Sequence, residues 1–264
     1  MIDNPRSPRV RAVAKLAKRS AREETGLFLV EGPQAVSEAL EFRGAALVDL
    51  FMTRAALDRY GDIARSAATS GVEAEEVSEH VLETMADTVT PQGVVAVARQ
   101  FPISLKEMLA GGVTLVAILD EVRDPGNAGT IIRAADAAGA DGVILTGKSV
   151  DAYNPKVVRS TTGSLFHIAV AQGLELGAAI RAVKRAGLQV LAADIAGDDI
   201  PAVRDRLAKP TAWLFGNEAH GLPDESLGLA DAVVKVPIYG HAESLNLATA
   251  ASVCLYESAF AQRV

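Results

Sequence analysis

Six residues able to bind a polar substrate or move a proton fall close together near the carboxyl end of this 264-residue chain: Glu218, His220, His241, Glu243, Ser244 and Asn246. Carboxylates, imidazoles, a hydroxyl and an amide offer donors, acceptors and a group titrating near neutrality. They occupy two loops, within Trp213–Leu222 and Val236–Ala248. Each loop follows an apolar run of the kind that forms a buried parallel strand, ending at Phe215 and at Val236. Open α/β sheets hold ligands outside the carboxyl ends of their strands, where these loops must lie. Gly216, Gly221 and Gly240 allow positive φ or a close approach of backbone to ligand. The structural alternative is two ordinary turns, with Ser244 or Asn246 capping the Ala-rich helix that runs on to Gln262, Ser244 being a plausible N-cap. So much polarity at two strand ends favours a functional site.

A third polar turn lies upstream. Val113–Leu119 reads as the clearest buried strand and ends in Asp120-Glu-Val-Arg-Asp-Pro-Gly-Asn127. A helix follows over Ala128–Ala138, with Asn127 placed to cap it and Gly139 closing it. Ile131, Ile132 and Ala135 pack, leaving Arg133 on a different face. A permanently charged guanidinium there can bind a phosphate or stabilise a developing anion; taken alone it is a surface helix charge. Several chemistries have no support. No Gly-x-Gly-x-x-Gly follows a strand, and no Gly-x-x-x-x-Gly-Lys-Ser/Thr occurs. Four histidines and one cysteine make no zinc pattern, so no metal is expected. Ser164 lies in Thr-Gly-Ser-Leu-Phe, which is not a hydrolase elbow.

The elements that must position these loops alternate. The first hundred residues read as a helix over Arg9–Ala21, strands at Leu27–Glu31, Ala46–Met52, Val72–Val77 and Gly93–Ala98, and helices between them. That is a small α/β layer. Glu31-Gly32 and Pro91-Gln92-Gly93 are surface loops, read as plain turns. Phe101-Pro102 and Gly111-Gly112 bracket a connection, which sets domains at 1–102 and 113–264. In the second, strands are expected at Gly142–Thr146, Leu188–Ala193, Thr211–Phe215 and Val233–Val236, making a largely parallel sheet.

Hydrophobic residues make up 49% of the chain and charged ones 22%, which suits a globular protein. No apolar run approaches the ~20 residues needed to cross a bilayer, and the first residues lack the apolar core of a signal peptide. Cys254, the single cysteine, sits in an apolar helical pattern and is read as a core residue, in keeping with a cytoplasmic location. The net charge is −7, yet residues 1–24 hold seven cations against three acids. Clustered cations matter more for phosphate than the total does; the alternative for this stretch is a solvated amphipathic helix.

Three segments together resemble the SpoU/TrmH family of RNA ribose methyltransferases in the SPOUT superfamily: Asn127-Ala-Gly-Thr-Ile-Ile-Arg133, Phe215-Gly-Asn-Glu-Ala-His-Gly-Leu222 and Val236-Pro-Ile-Tyr-Gly-His-Ala-Glu-Ser-Leu-Asn246. Their order and spacing match across residues 113–264. The first hundred residues resemble, less specifically, the ribosomal-protein-like substrate-binding domain often fused ahead of it. The resemblance implies a trefoil-knotted α/β domain with a mostly parallel sheet, the last helix tucked through it; deep knots are rare, and no local pattern predicts one. It also implies a homodimer and S-adenosylmethionine held bent by Gly216, Val236, Ile238 and Leu245, largely through backbone and apolar contacts.

The implied reaction is 2′-O-methylation of a ribose, by analogy in ribosomal RNA; the alternatives are a transfer-RNA ribose methyltransferase or a non-catalytic RNA-binding protein with a decayed knot domain. A hydroxyl aligned on an S–CH₃ bond must lose its proton. Arg133 is expected to stabilise the alkoxide or hold the adjacent phosphate, Asn127 to orient it or the ribose, and Glu218, Ser244 and Asn246 to position substrate. His220 and His241 are read as loop residues.

Overall fold

The computed structural model describes residues 1–263. By packing, the chain forms two compact units: Met1–Phe101 with Tyr153–His167, and Pro102–Ala152 with the residues from Ile168 on.

The first unit holds a four-stranded sheet of order β1-β4-β2-β3, with β1 Leu27–Glu31, β2 Leu47–Thr53, β3 Ala74–Val77 and β4 Val94–Arg99. β4 runs antiparallel to both β1 and β2, whereas β2 and β3 are parallel. The single basic helix expected over Arg9–Ala21 is two, Pro8–Lys15 and Arg19–Thr25. Ser7 caps the first, accepting from the Val10 N–H. Arg22 explains the break: it is buried, and its guanidinium donates at 2.9 Å to the carbonyls of Leu16 and Ala17, which the interrupted helix leaves exposed. Residues Tyr153–His167, inside the second domain by sequence, belong to this unit because Phe28 takes Tyr153 and Phe166 as ring neighbours, with centroids 4.8 and 6.4 Å away.

The second unit holds a six-stranded sheet, order β10-β8-β9-β5-β6-β7. Its strands are β5 Leu115–Asp120, β6 Gly142–Thr146, β7 Ala169–Leu174, β8 Gln189–Asp199, β9 Thr211–Phe215 and β10 Ala232–Lys235. All of the pairings are parallel, so the turns after β5, β8, β9 and β10 emerge at one edge. β5, β6 and β9 are buried along their whole length, as the unbroken apolar runs require. β7 has no counterpart in the sequence reading. Its Ala-Val-Ala-Gln-Gly-Leu is short of bulky apolar residues, and it needs few because it is an edge strand. The last helix, Leu247–Gln262, is apolar on most sides and packs along the Pro125–Ala137 helix and β9. Trp213 pins it, with its indole N–H donating at 2.9 Å to the Ser258 hydroxyl. Cys254 is buried in that helix, and burial pushes its thiol up to about 12.

Candidate active site

The site grows from the turn after β5. Pro125 is pre-set for a first helical position, so the helix starts there, three residues earlier than the sequence reading has it. Asp124 is therefore the N-cap, its carboxylate accepting from the Asn127 N–H at 2.7 Å. The expectation that Asn127 caps this helix is corrected, and the Asn127 side chain is left for other partners. Its amide donates to Glu218 Oε1 at 3.3 Å, and its Oδ1 accepts from the Asn246 amide at 3.0 Å. One side chain thus joins all three polar loops.

Glu218 completes the junction by accepting from the backbone N–H groups of Arg123 at 3.3 Å and Asp124 at 3.1 Å. An anion is well placed here, beside the start of a helix whose dipole favours negative charge. Asn246 does two things at once. It caps the last helix, accepting from the N–H groups of Ala248 and Thr249, and it reaches Asn127. Ser244, the other cap candidate, lies two residues before Asn246 and lines the neighbouring cavity instead.

That cavity, of about 190 Å³, lies between the middle of β8, at Ala193–Ile195, and the carboxyl ends of β9 and β10. Phe215, Val234, Val236, Ile238, Leu245 and Leu247 give it an apolar wall, while Asp194, Asn217, Lys235 and Ser244 add polar groups. Three of the four expected cofactor contacts, Val236, Ile238 and Leu245, therefore converge. Gly216 acts differently. A Cβ there would stand 2.5 Å from the Gly221 backbone, so its lack of a side chain lets the loop close on itself. Asn217 and Gly221 then exchange backbone hydrogen bonds of 3.1 and 2.8 Å, with Gly221 at φ +65°. Gly240 has neither a positive φ nor a neighbour within 4 Å of a Cβ, so that loop does not need glycine for either reason. An apolar slot with backbone-lined turns fits an adenosyl group, which needs fixed main-chain donors and flat apolar contact.

Arg133 lies on the Pro125–Ala137 helix, exposed, and does not line this cavity. Six residues on from Asn127, it points about 120° around the helix and about 9 Å along it. His220 is an exposed member of the β9 turn, its N–H held by Asn217 Oδ1 at 3.3 Å; His241 is exposed. The sequence reading missed Asn217, whose amide donates to the Glu121 carbonyl at 2.8 Å and ties the β9 turn to the β5 turn. Its signal was its place inside the Gly-Asn-Glu step. It also missed Asp120, a carboxylate at the carboxyl end of the most apolar strand. Among the described residues no group of three His, Cys, Asp or Glu is placed to hold a metal ion.

Comparison with known proteins identifies the family and the fold. Residues 114–256 match the SpoU rRNA Methylase family, and residues 7–96 match an MRM3-like substrate binding domain. The chain is 32% identical over 255 residues to the 23S rRNA (guanosine(2553)-2′-O)-methyltransferase RlmP of Bacillus subtilis, with 97% of each chain covered. It resembles the AdoMet-bound rRNA methyltransferase from Sinorhizobium meliloti, with a TM-score of 0.84 and 35% identity over 97% of this chain and 96% of that one. The SpoU methyltransferase AviRb from Streptomyces viridochromogenes in complex with AdoMet is similar too, with a TM-score of 0.83 and 32% identity over 96% and 98% of the two chains. Fold and site together define a methyltransferase of the SPOUT class. The chain belongs to the SpoU rRNA Methylase family.

Proposed function

We infer that this protein is an S-adenosylmethionine-dependent methyltransferase acting on a ribose 2′-hydroxyl of ribosomal RNA. The observation that carries the reading is the Glu218–Asn127–Asn246 junction beside the apolar cavity, because it fixes three loops around one point. The cofactor, when bound, supplies a methyl group on a positively charged sulfur. Transfer would form an O–CH₃ bond as the S–CH₃ bond breaks, leaving the sulfur as a neutral thioether and passing the hydroxyl proton to solvent water. Val236, Ile238, Leu245 and the Gly216 turn would hold the adenosyl part. Asn127, Glu218, Ser244 and Asn246 would hold the ribose in line, where orientation is worth several powers of ten in rate.

Arg133 would stabilise the developing alkoxide or hold the adjacent phosphate. It stands away from the cavity of its own chain, which favours a homodimer in which a second copy presents it. The last helix supports that arrangement. It packs along the helix that bears Arg133 and exposes Tyr256 and Phe260, whose rings lie 5.6 Å apart. The trefoil knot belongs to the same reading, as does a place in the cytoplasm beside ribosomes.

RNA would be gathered partly by the first unit. Of its seven N-terminal cations, Arg9 is held by Asp49 and Glu75, Arg19 by Glu23, and Arg22 is buried. Arg6, Arg11, Lys15 and Lys18 are exposed and remain for phosphate. Affinity for RNA should therefore fall with added salt. An intact junction speaks against a decayed, non-catalytic domain, which calorimetry with S-adenosylmethionine would test directly. The decisive experiment pairs sedimentation of the protein with methyl incorporation by Arg133→Ala: a monomer, or a variant with normal turnover on ribosomal RNA, removes this account of Arg133.

A further inference from the structure

A second cavity, of about 580 Å³, opens between the ends of β9 and β5. Asp120, Glu121, Arg123, Asn217, Glu218 and His220 face it, and Asn217, Glu218 and Gly221 border both it and the apolar cavity. Two of its three carboxylates accept hydrogen bonds from the protein on both of their oxygens. Glu121 accepts from the Lys148 N–H and the Arg123 guanidinium, each at 2.8 Å. Glu218 accepts from two backbone N–H groups and from Asn127.

Asp120 is different. It is 8% exposed, and its Oδ1 accepts from the Thr146 hydroxyl at 2.7 Å. Among the described residues no protein group donates to its Oδ2. Nor, among them, is any buried side-chain oxygen sealed off without a partner, so Oδ2 opens on the cavity. Burial pushes this carboxyl up, and the charges of Glu121 and Glu175 act in the same direction, against the Thr146 bond. A ligand bringing N–H donors would relieve that cost.

We propose that this cavity receives the base of the target nucleotide, turned out of the RNA, and that Asp120 reads it as guanine. The inference rests on the methyltransferase reading above and extends it to the identity of the nucleotide. A nucleoside suits a cavity of this size. The choice among bases follows from what a carboxylate can accept. Guanine presents two adjacent donors, N1–H and the 2-amino group, which match Oδ2 and the remaining lone pair of Oδ1. Uracil has one donor between two carbonyls. The amino groups of cytosine and adenine each sit beside a ring nitrogen whose lone pair a carboxylate repels. With the base against Asp120, the ribose falls over Asn217 and Glu218, the seam with the cofactor cavity. Arg123, exposed at the rim, suits a flanking phosphate.

The test has two stages. Ribose 2′-O-methylation is mapped in total RNA from cells lacking the gene and from the same cells with it restored. The mark that returns should lie on a guanosine. A mark on uridine, cytidine or adenosine overturns the guanine assignment while leaving methyl transfer standing; no returning mark sinks both readings. A short synthetic RNA spanning the mapped site then carries guanosine or inosine at the target, with the full-length protein and S-adenosylmethionine. Inosine lacks the 2-amino group, so kcat/KM should fall about tenfold for the unaltered protein, the loss of roughly half of a bidentate contact. Asp120→Asn should methylate guanosine about 100-fold more slowly and treat inosine the same as guanosine, with cofactor affinity by calorimetry within about threefold of the original. If the unaltered protein is indifferent to inosine, or if Asp120→Asn keeps the full preference, Asp120 does not read the base.

Discussion

Glu31 and Asp120 occupy equivalent places in the two units. Each is the last residue of a strand, β1 and β5, each is buried, and burial pushes each carboxyl above its ordinary value. Their surroundings then diverge. Glu31 Oε1 takes the Arg159 guanidinium at 2.8 Å, and Oε2 takes the N–H groups of Asp87 and Thr88 at 3.2 and 3.1 Å. Arg159 reaches on to Asp87 at 2.9 Å. Asp120 has the Thr146 hydroxyl and an open side. The Glu31 clasp stands beside a cavity of its own, about 350 Å³. Cavity and charge therefore do not separate the two. A buried carboxylate closed by its own chain is part of the packing, whereas one left half-open retains the capacity to bind.

The comparison can be broken in several places. The largest effect should come from Arg159→Ala, which leaves Glu31 buried without its cation. Removing one partner of such a pair costs about 3–5 kcal/mol, and urea unfolding should show a lower midpoint while S-adenosylmethionine affinity holds. An unchanged midpoint would mean that the clasp is not structural. Next is Asn127→Ala. Losing the group that links Glu218 to Asn246 should slow single-turnover methyl transfer by about 100-fold, the scale of a displacement of about 1 Å in a positioned group. Cofactor affinity should change far less; an equal loss in both would make Asn127 a cofactor contact.

Gly216→Ala is expected to act in the opposite sense. Its Cβ would meet the Gly221 carbonyl at 2.5 Å, and overpacking of that order costs about 1–3 kcal/mol. Cofactor affinity should drop about tenfold in calorimetry, and unaltered binding would show that the turn has room to shift. The smallest effect is on stability and has a defined sign. Asp120 holds its proton more tightly folded than unfolded, so its contribution declines as pH rises through the ordinary carboxyl value of 3.8 towards its folded value, and stays low above that. Asp120→Asn should thus unfold at a higher temperature than the parent near pH 7, with the gap closing below about pH 4. A variant less stable at pH 7 would place Asp120 with Glu31 as a packing residue.

Much of the catalytic unit was legible because its signals are local. Thr211–Phe215 and Gly142–Thr146 form strands where their apolar runs lie, and the polar loops after β5, β9 and β10 converge as their places at strand ends imply. Local reading failed where two signals competed. Pro125 moved the helix start away from Asn127, and Asn246 displaced Ser244 as a cap. In the first unit the basic stretch looked like one surface helix. Arg22 is instead buried, and Arg9 pairs with a carboxylate 66 residues away.

Residue type and spacing by themselves determined which strands are buried, where the loops emerge and which side chains have chemistry to offer, because periodicity and turn chemistry act over a few residues. Which of those side chains meet was decided only by the tertiary structure. Asn127, Glu218 and Asn246 touch across 91 and 119 residues of chain, and Glu31 and Arg159 across 128. Asp120 remains half-open because, among the described residues, the Thr146 hydroxyl alone donates to its carboxylate. Hydrogen bonding is short-ranged and directional, so whether a buried charge is closed or left open depends on distances that only the folded chain sets.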